Sequence, residues 1–264
     1  MNRLFCDLKL KAKYYQQIVC ETDIHGDQIS EIDRIFKFMM SNRSQLFRPI
    51  YLSVLHQAEL GNIPEEKLVK VLKCIQYFFV CYNLISKETS NKISEGIQKY
   101  ASLLENEYSA DVLKRFLQHL KDRMPTKAEF RSTFKLVGYS NHCEYYHDKK
   151  NKQRAELALS ILEQIKSGRV DVPSFTIEHI LPDSQDRGNA LIGNLMPLEE
   201  NLNGLCKDKR LNEKISTYDR SNFSTARNVA NRYRENVDDF NINTRSNAMA
   251  DELYDEISRI LNAL

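Results

Sequence analysis

Apolar residues recur at three-and-four spacing along most of this chain, and that recurrence predicts helix after helix. In "IPEEKLVKVLKCIQYFFVCYNLI" the positions Leu68, Val71, Leu72, Ile75, Phe78 and Phe79 fall on one face. Pro64 and the two glutamates behind it suit a first turn, where a missing N–H costs nothing and carboxylates meet the positive end of the helix dipole. "SADVLKRFLQHLKDR" opens on Ser109, a capping side chain, and repeats Leu113, Phe116, Leu117 and Leu120. Thr126 and Glu129 have the spacing of a capping box. "NKQRAELALSILEQIKSG" is one more amphipathic helix, which Gly168 ends. Two further helices, at about 224–236 and 244–261, close the chain.

Between Arg169 and Glu200 the period changes. "RVDVPSFTIEHILP" is rich in β-branched residues and stops at Pro182, which predicts a short strand. The polar loop "DSQDRGNALIGN" leads into "NLMPLEE", a return strand that feeds a helix from about Glu199. The prediction is strand, loop, strand, helix inside a helical surround, without internal repeats or low-complexity linkers.

Composition narrows this. Gly and Pro number only 8 and 6 in 264 residues, too few turns for a sandwich or barrel, so the fold class is mainly α. The length suits one large or two modest domains, expected here as a helical domain over 1–150 and a second domain over 151–264. The longest apolar run, "CIQYFFVCYNLI", is too short to cross a bilayer, and "MNRLFCDLKLKAKYY" lacks the features of a signal peptide. Six cysteines, at 6, 20, 74, 81, 143 and 206, form no C-x-x-C pair, against a disulfide scaffold or a cysteine-ligated zinc. A cytoplasmic protein is expected.

The net charge of +2 implies no special partner, but its distribution does. From Asn203 to Arg234 eight basic residues face three acidic ones, and from Glu235 onward seven acidic residues face two basic ones. Lys207, Lys209, Arg210 and Lys214 lie in the basic stretch, directly behind the strand–loop–strand, and are the expected phosphate contacts. "DKKNKQR" at 148–154 is a second basic cluster.

Cutting a phosphodiester requires a group that takes a proton from water near neutrality, for which His is suited. It also requires a hard divalent cation against the charge on the phosphate oxygens, held by carboxylate and amide oxygens. Glu178, His179 and Asn203 supply that set, and Lys207 or Lys209 would neutralise the phosphate. One tension stands: neighbours in a regular strand point to opposite faces, so Glu178 and His179 converge only if the strand twists or ends there. Asn194 is placed to hydrogen-bond across the loop and fix the backbone that carries His179.

"EHILP", "IGNL" and "EENLNGLCKDK" resemble the two strands and helix of the HNH nucleases, whose site is a ββα-metal hairpin. More narrowly, "FTIEHILP…IGNLMPL…LN…K" is similar to the C-terminal HNH domain of GmrSD-type modification-dependent restriction proteins, over about 150–264. The resemblance implies a ββα-metal motif at about 175–212, embedded in the C-terminal helical part. It implies His179 as general base, Glu178 and Asn203 as ligands of one divalent metal ion (Mg2+, or Mn2+), Asn194 as the residue orienting the catalytic loop, and Lys207 in the same helix. The implied activity is DNA endonuclease, in defence against invading, modified DNA. Phe240 stands where many of these nucleases have tryptophan. The ParB-like nucleotide-hydrolysing half that usually accompanies the domain is not in this sequence, so a ParB-like NTPase domain or subunit is the expected partner, in trans or on a longer chain.

Two alternatives stay open: an inactive module of the same fold that binds DNA or the NTPase partner, and an RNase using the same site. His25, His56, His119, His142 and His147 have no partners at metal-site spacing, and Cys206 reads as a small packed residue. Tyr145 and Tyr146 are either core residues or surfaces on which bases stack.

Overall fold

A computed structural model describes residues 3–19, 30–169 and 171–263. Cys20 and His25 lie outside them. The chain divides into two compact units, one comprising 1–124 with 257–264, the other 125–256.

The first unit holds α1 (Arg3–Val19), α2 (Glu31–Ser41), α3 (Arg48–Glu59), α4 (Glu65–Phe79), α5 (Asn91–Asn106) and α6 (Ala110–Lys121). The α4 positions expected to face inward are all buried, and Ser109 caps α6 by accepting from Val112 N at 3.1 Å. Phe47 centres an aromatic cluster, edge-on to Phe78 and Phe79 at 6.3 and 5.9 Å. Each such ring contributes about 1.5–3 kcal/mol through burial. The apolar run expected to be too short for a bilayer belongs to a longer helix: α4 continues through a π-helical turn, Val80–Ile85, giving 21 residues, long and apolar enough to cross a membrane. However, 61% of its most apolar stretch is buried within the fold, so it packs as a core helix.

The second unit holds α7 (Lys127–Phe134), α8 (Lys149–Ser167), β1 (Thr176–His179), β2 (Leu195–Leu198), α9 (Glu200–Cys206), α10 (Leu211–Tyr218), α11 (Ser224–Tyr233) and the greater part of α12 (Ile242–Leu261). The capping box of Thr126 and Glu129 opens α7, and Gly168, at φ 68°, ends α8 in the left-handed conformation. β1 and β2 pair antiparallel, with Thr176 opposite Leu198 and His179 opposite Leu195. Pro197 is tolerated because each strand of a two-stranded sheet keeps one free edge. Ile180, Met196, Leu198 and Leu202 then pack with Leu211, Ile215 and Tyr218 into one core. Mainly α with a small two-stranded sheet is therefore the architecture.

The boundary between units lies at Met124/Pro125 and not at 150. The stretch 125–150 belongs with the hairpin because it is bonded to it: Tyr139 N donates to Ala190 O (2.9 Å) and Ile192 N to Val137 O (2.8 Å). Arg131 clamps Asp251 of α12 through the Nε–Nη2 edge of its guanidinium, at 2.6–3.0 Å. α10 was not among the expected helices, and it changes the reading of the site.

Candidate active site

Glu178 and His179 end β1 and do diverge. Glu178 points inward, 3% exposed, and its Oε1 accepts from Lys214 Nζ at 2.8 Å and Tyr218 Oη at 2.7 Å. Its Oε2 accepts no hydrogen bond among the described residues. Burial and the adjacent carboxylate push the Tyr218 phenol well above its usual pKa, so it stays a donor.

His179 turns the other way. Its Nε2 lies 2.9 Å from Tyr139 O. A carbonyl only accepts, so Nε2 carries the proton and Nδ1 is left as the basic nitrogen. Asp183 stands beside it, with Oδ1 3.7 Å from Nε2. Asp183 Oδ2 accepts from Asn141 N at 2.9 Å, while Oδ1 is buried and accepts no hydrogen bond among the described residues.

The loop after β1 is held by two asparagines. Asn194, fully buried, accepts from Leu181 N at 2.8 Å and donates to Leu181 O (2.9 Å) and Asn189 O (2.8 Å). Asn189 donates to Pro182 O at 2.7 Å. Ile180 N donates to Asn194 O at 2.9 Å, so the backbone leaving His179 is tied at two successive residues. α12 backs this loop. A Cβ on Gly193 would meet Ile242 O at 2.0 Å, and Arg245 donates to Gly193 O (2.9 Å) and Leu195 O (2.8 Å). Burial depresses the Arg245 guanidinium to about 10.

Asn203, on α9, donates its amide to Thr176 Oγ1 (2.8 Å) and Ile177 O (3.1 Å), which orients the side chain and leaves Oδ1 without a hydrogen bond among the described residues. Lys207 ends α9 at φ 40° and ψ −132°, a conformation that favours glycine and costs on the order of 1–3 kcal/mol. Lys207, Lys209 and Arg210 are exposed.

Lys214 is not. The expectation of a phosphate contact is overturned: its side chain is 0% exposed, and Nζ donates to Glu178 Oε1 and to His179 O, at 2.8 and 2.6 Å. Its surroundings leave no face for a phosphate. Cys206 is likewise buried, its thiol pushed up to about 11 by burial and by Glu178, which suits packing and not nucleophilic attack. His56 and His119 do have partners, Glu105 Oε1 at 2.7 Å and Arg123 Nη1 at 2.9 Å.

Glu178, His179, Asp183, Asn203 and Lys207 line one groove of about 480 Å³, together with Tyr139, Asn141, His142 and Lys152. Five carboxylates (Glu156, Glu178, Asp183, Glu200 and Asp208) face it against two ammonium groups, Lys152 and Lys207. Among the described residues no cluster of three or more His, Cys, Asp or Glu side chains forms a metal cage.

A family model, GmrSD restriction endonucleases, C-terminal domain, matches residues 110–252, more than half of the chain and all of the groove. The chain belongs to this family. GmrSD C-terminal domains are nuclease-related domains of restriction endonucleases, so the groove lies in the part of this chain shared with a nuclease family. No curated protein matches the chain.

The sequence reading missed Asp183, Asn189, Tyr139 and the burial of Lys214. Only the last carried a signal. Leu211, Lys214, Ile215 and Tyr218 are spaced i, i+3, i+4, i+7, so the lysine sits on an apolar stripe.

Proposed function

We propose that the chain is a metal-dependent HNH-type endonuclease that hydrolyses DNA phosphodiester bonds, with β1, β2 and α9 as its ββα-metal motif. The observation that carries this is His179 held through Nε2 by a backbone carbonyl, which leaves Nδ1 to take the proton of the attacking water. As the imidazolium forms, it keeps its bond to Tyr139 O, and the carbonyl and Asp183 stabilise its charge. Asn194 keeps the backbone behind His179 fixed while Lys207 meets the phosphate from the rim.

The donor set fits a hard cation: Glu178 Oε2 and Asn203 Oδ1 accept no hydrogen bond among the described residues, and the small number of protein ligands among them suits magnesium, which retains waters. With Glu178 paired to Lys214, the groove's other four carboxylates still outnumber its two ammonium groups, which supports metal dependence, because a phosphodiester would be repelled unless a cation offset them. When bound, that ion stabilises charge on the phosphate oxygens. Membership of the GmrSD family supports a role in restriction; modified DNA as substrate and a ParB-like NTPase as partner belong to the proposal. One observation favours a second reading, an inactive binding module: Lys214 already neutralises Glu178.

The test is nicking of supercoiled plasmid by the purified chain in magnesium, manganese or EDTA, beside the His179→Ala protein. Metal-dependent nicking reduced about 10²–10⁴-fold in the variant is expected. No cutting by the wild type, even with the NTPase partner and modified DNA, would overturn the nuclease reading in favour of the binding module.

A further inference from the structure

The loop from Gly138 to Asp148 lends Tyr139, Asn141 and His142 to the groove and is pinned by hydrogen bonds along its length. Ser140, fully buried, is its knot: Oγ accepts from His142 N (2.9 Å) and Cys143 N (2.7 Å), and its carbonyl accepts from His147 Nδ1 (3.2 Å). Asn151 Nδ2 donates to Tyr145 O at 2.9 Å, and Asp148 caps α8. At the tip Tyr145 is 72% exposed. Its ring meets Tyr146 edge-on at 4.9 Å and 85°, and the Tyr146 ring packs so closely on Gly138 that a Cβ there would lie 3.0 Å from it.

A single exposed tyrosine is ordinary on a protein surface. This one differs because hydrogen bonds through Ser140 and Asn151 pin its loop, which lowers the conformational freedom lost when something stacks on it. Lys149 and Lys150 follow directly, both exposed and without an acidic partner among the described residues. Lys152, one helical turn on, lies 5.7 Å over the Tyr139 ring at the groove wall. An exposed aromatic ring followed within a few residues by exposed lysines suits a nucleobase and its phosphates.

We propose that Tyr145 is a stacking platform for an unpaired or extruded DNA base next to the strand held in the groove, with Lys149 and Lys150 on the flanking phosphates. The base must be unpaired, because in a duplex both its faces are covered by neighbours. This assignment rests on the nucleic-acid reading of the groove and adds the form of DNA it takes.

Binding is measured by fluorescence anisotropy in magnesium on the His179→Ala background, so that no strand is cut. The probes are a single strand, a perfect duplex and a duplex with one unpaired base. Tyr145→Ala should weaken the single strand and the interrupted duplex by roughly 5- to 100-fold and leave the perfect duplex within about two-fold, while Tyr145→Phe keeps wild-type affinity. Lys149→Ala with Lys150→Ala should weaken all three probes alike and flatten the salt dependence. Equal affinity of Tyr145→Ala and its parent for every probe overturns the platform but leaves the nuclease reading standing. No binding by the parent to any probe, with modified DNA and the NTPase partner also supplied, overturns both.

Discussion

Replacing Lys214 by Met separates the surface suggested by the charge run from the core pair in the structure. Methionine keeps most of the apolar stem and removes the ammonium, and with it the bonds to Glu178 Oε1 and His179 O. Glu178 is then left nearly buried with Tyr218 Oη as its remaining donor, and the His179 carbonyl loses its partner. Breaking a buried pair by removing one member costs about 3–5 kcal/mol. In a unit the size of 125–256 each kcal/mol moves the midpoint by roughly 3–5 °C, so a loss of roughly 10–20 °C is expected by calorimetry. The double variant Glu178→Gln with Lys214→Met should regain at least half of that, because the uncompensated charge is gone. DNA affinity offers a second readout: a phosphate contact would lower the salt slope by about one on removal, whereas a buried pair leaves it unchanged. Destabilisation below about 1 kcal/mol together with a shallower salt slope would sink the core assignment.

Asn194→Asp places a carboxylate oxygen where the amide donates to Leu181 O and Asn189 O, and should cost about 2–4 kcal/mol in urea unfolding, more than Asn194→Ala; a cost within 0.5 kcal/mol would show that the loop is held otherwise. His119 gives a pH prediction for the first unit. Burial, then the Arg123 charge, holds its pKa below the ordinary value, and Nε2 is buried without a hydrogen-bond partner among the described residues. The unfolded chain therefore takes up the proton first, so stability should be full above about pH 6.5 and fall as pH drops through the folded pKa. His119→Gln should flatten that acid slope, and an unchanged slope in urea melts from pH 7.5 to 5 would exclude His119 as its source.

The helices and their ends were legible because their causes are local. Ser109, the Thr126–Glu129 box and Gly168 act within one turn, and the buried positions of α4 follow from a 3.6-residue period. The short β1, its partner β2 and the residues Glu178, His179, Asn194 and Asn203 were legible from a change of period and from chemistry at close spacing. What the sequence did not carry were pairings over distance. The acceptor that selects the His179 tautomer is a backbone carbonyl forty positions away, and a carbonyl has no letter of its own in a sequence. Asp183 gained meaning only from the burial of its free oxygen, and 125–150 joined the hairpin through backbone bonds that any residue type can make. Lys214 shows the division most directly. Its charge assigned it to the surface, yet α10 turns it inward, where one carboxylate, one carbonyl and the exclusion of water make an ammonium group part of the core.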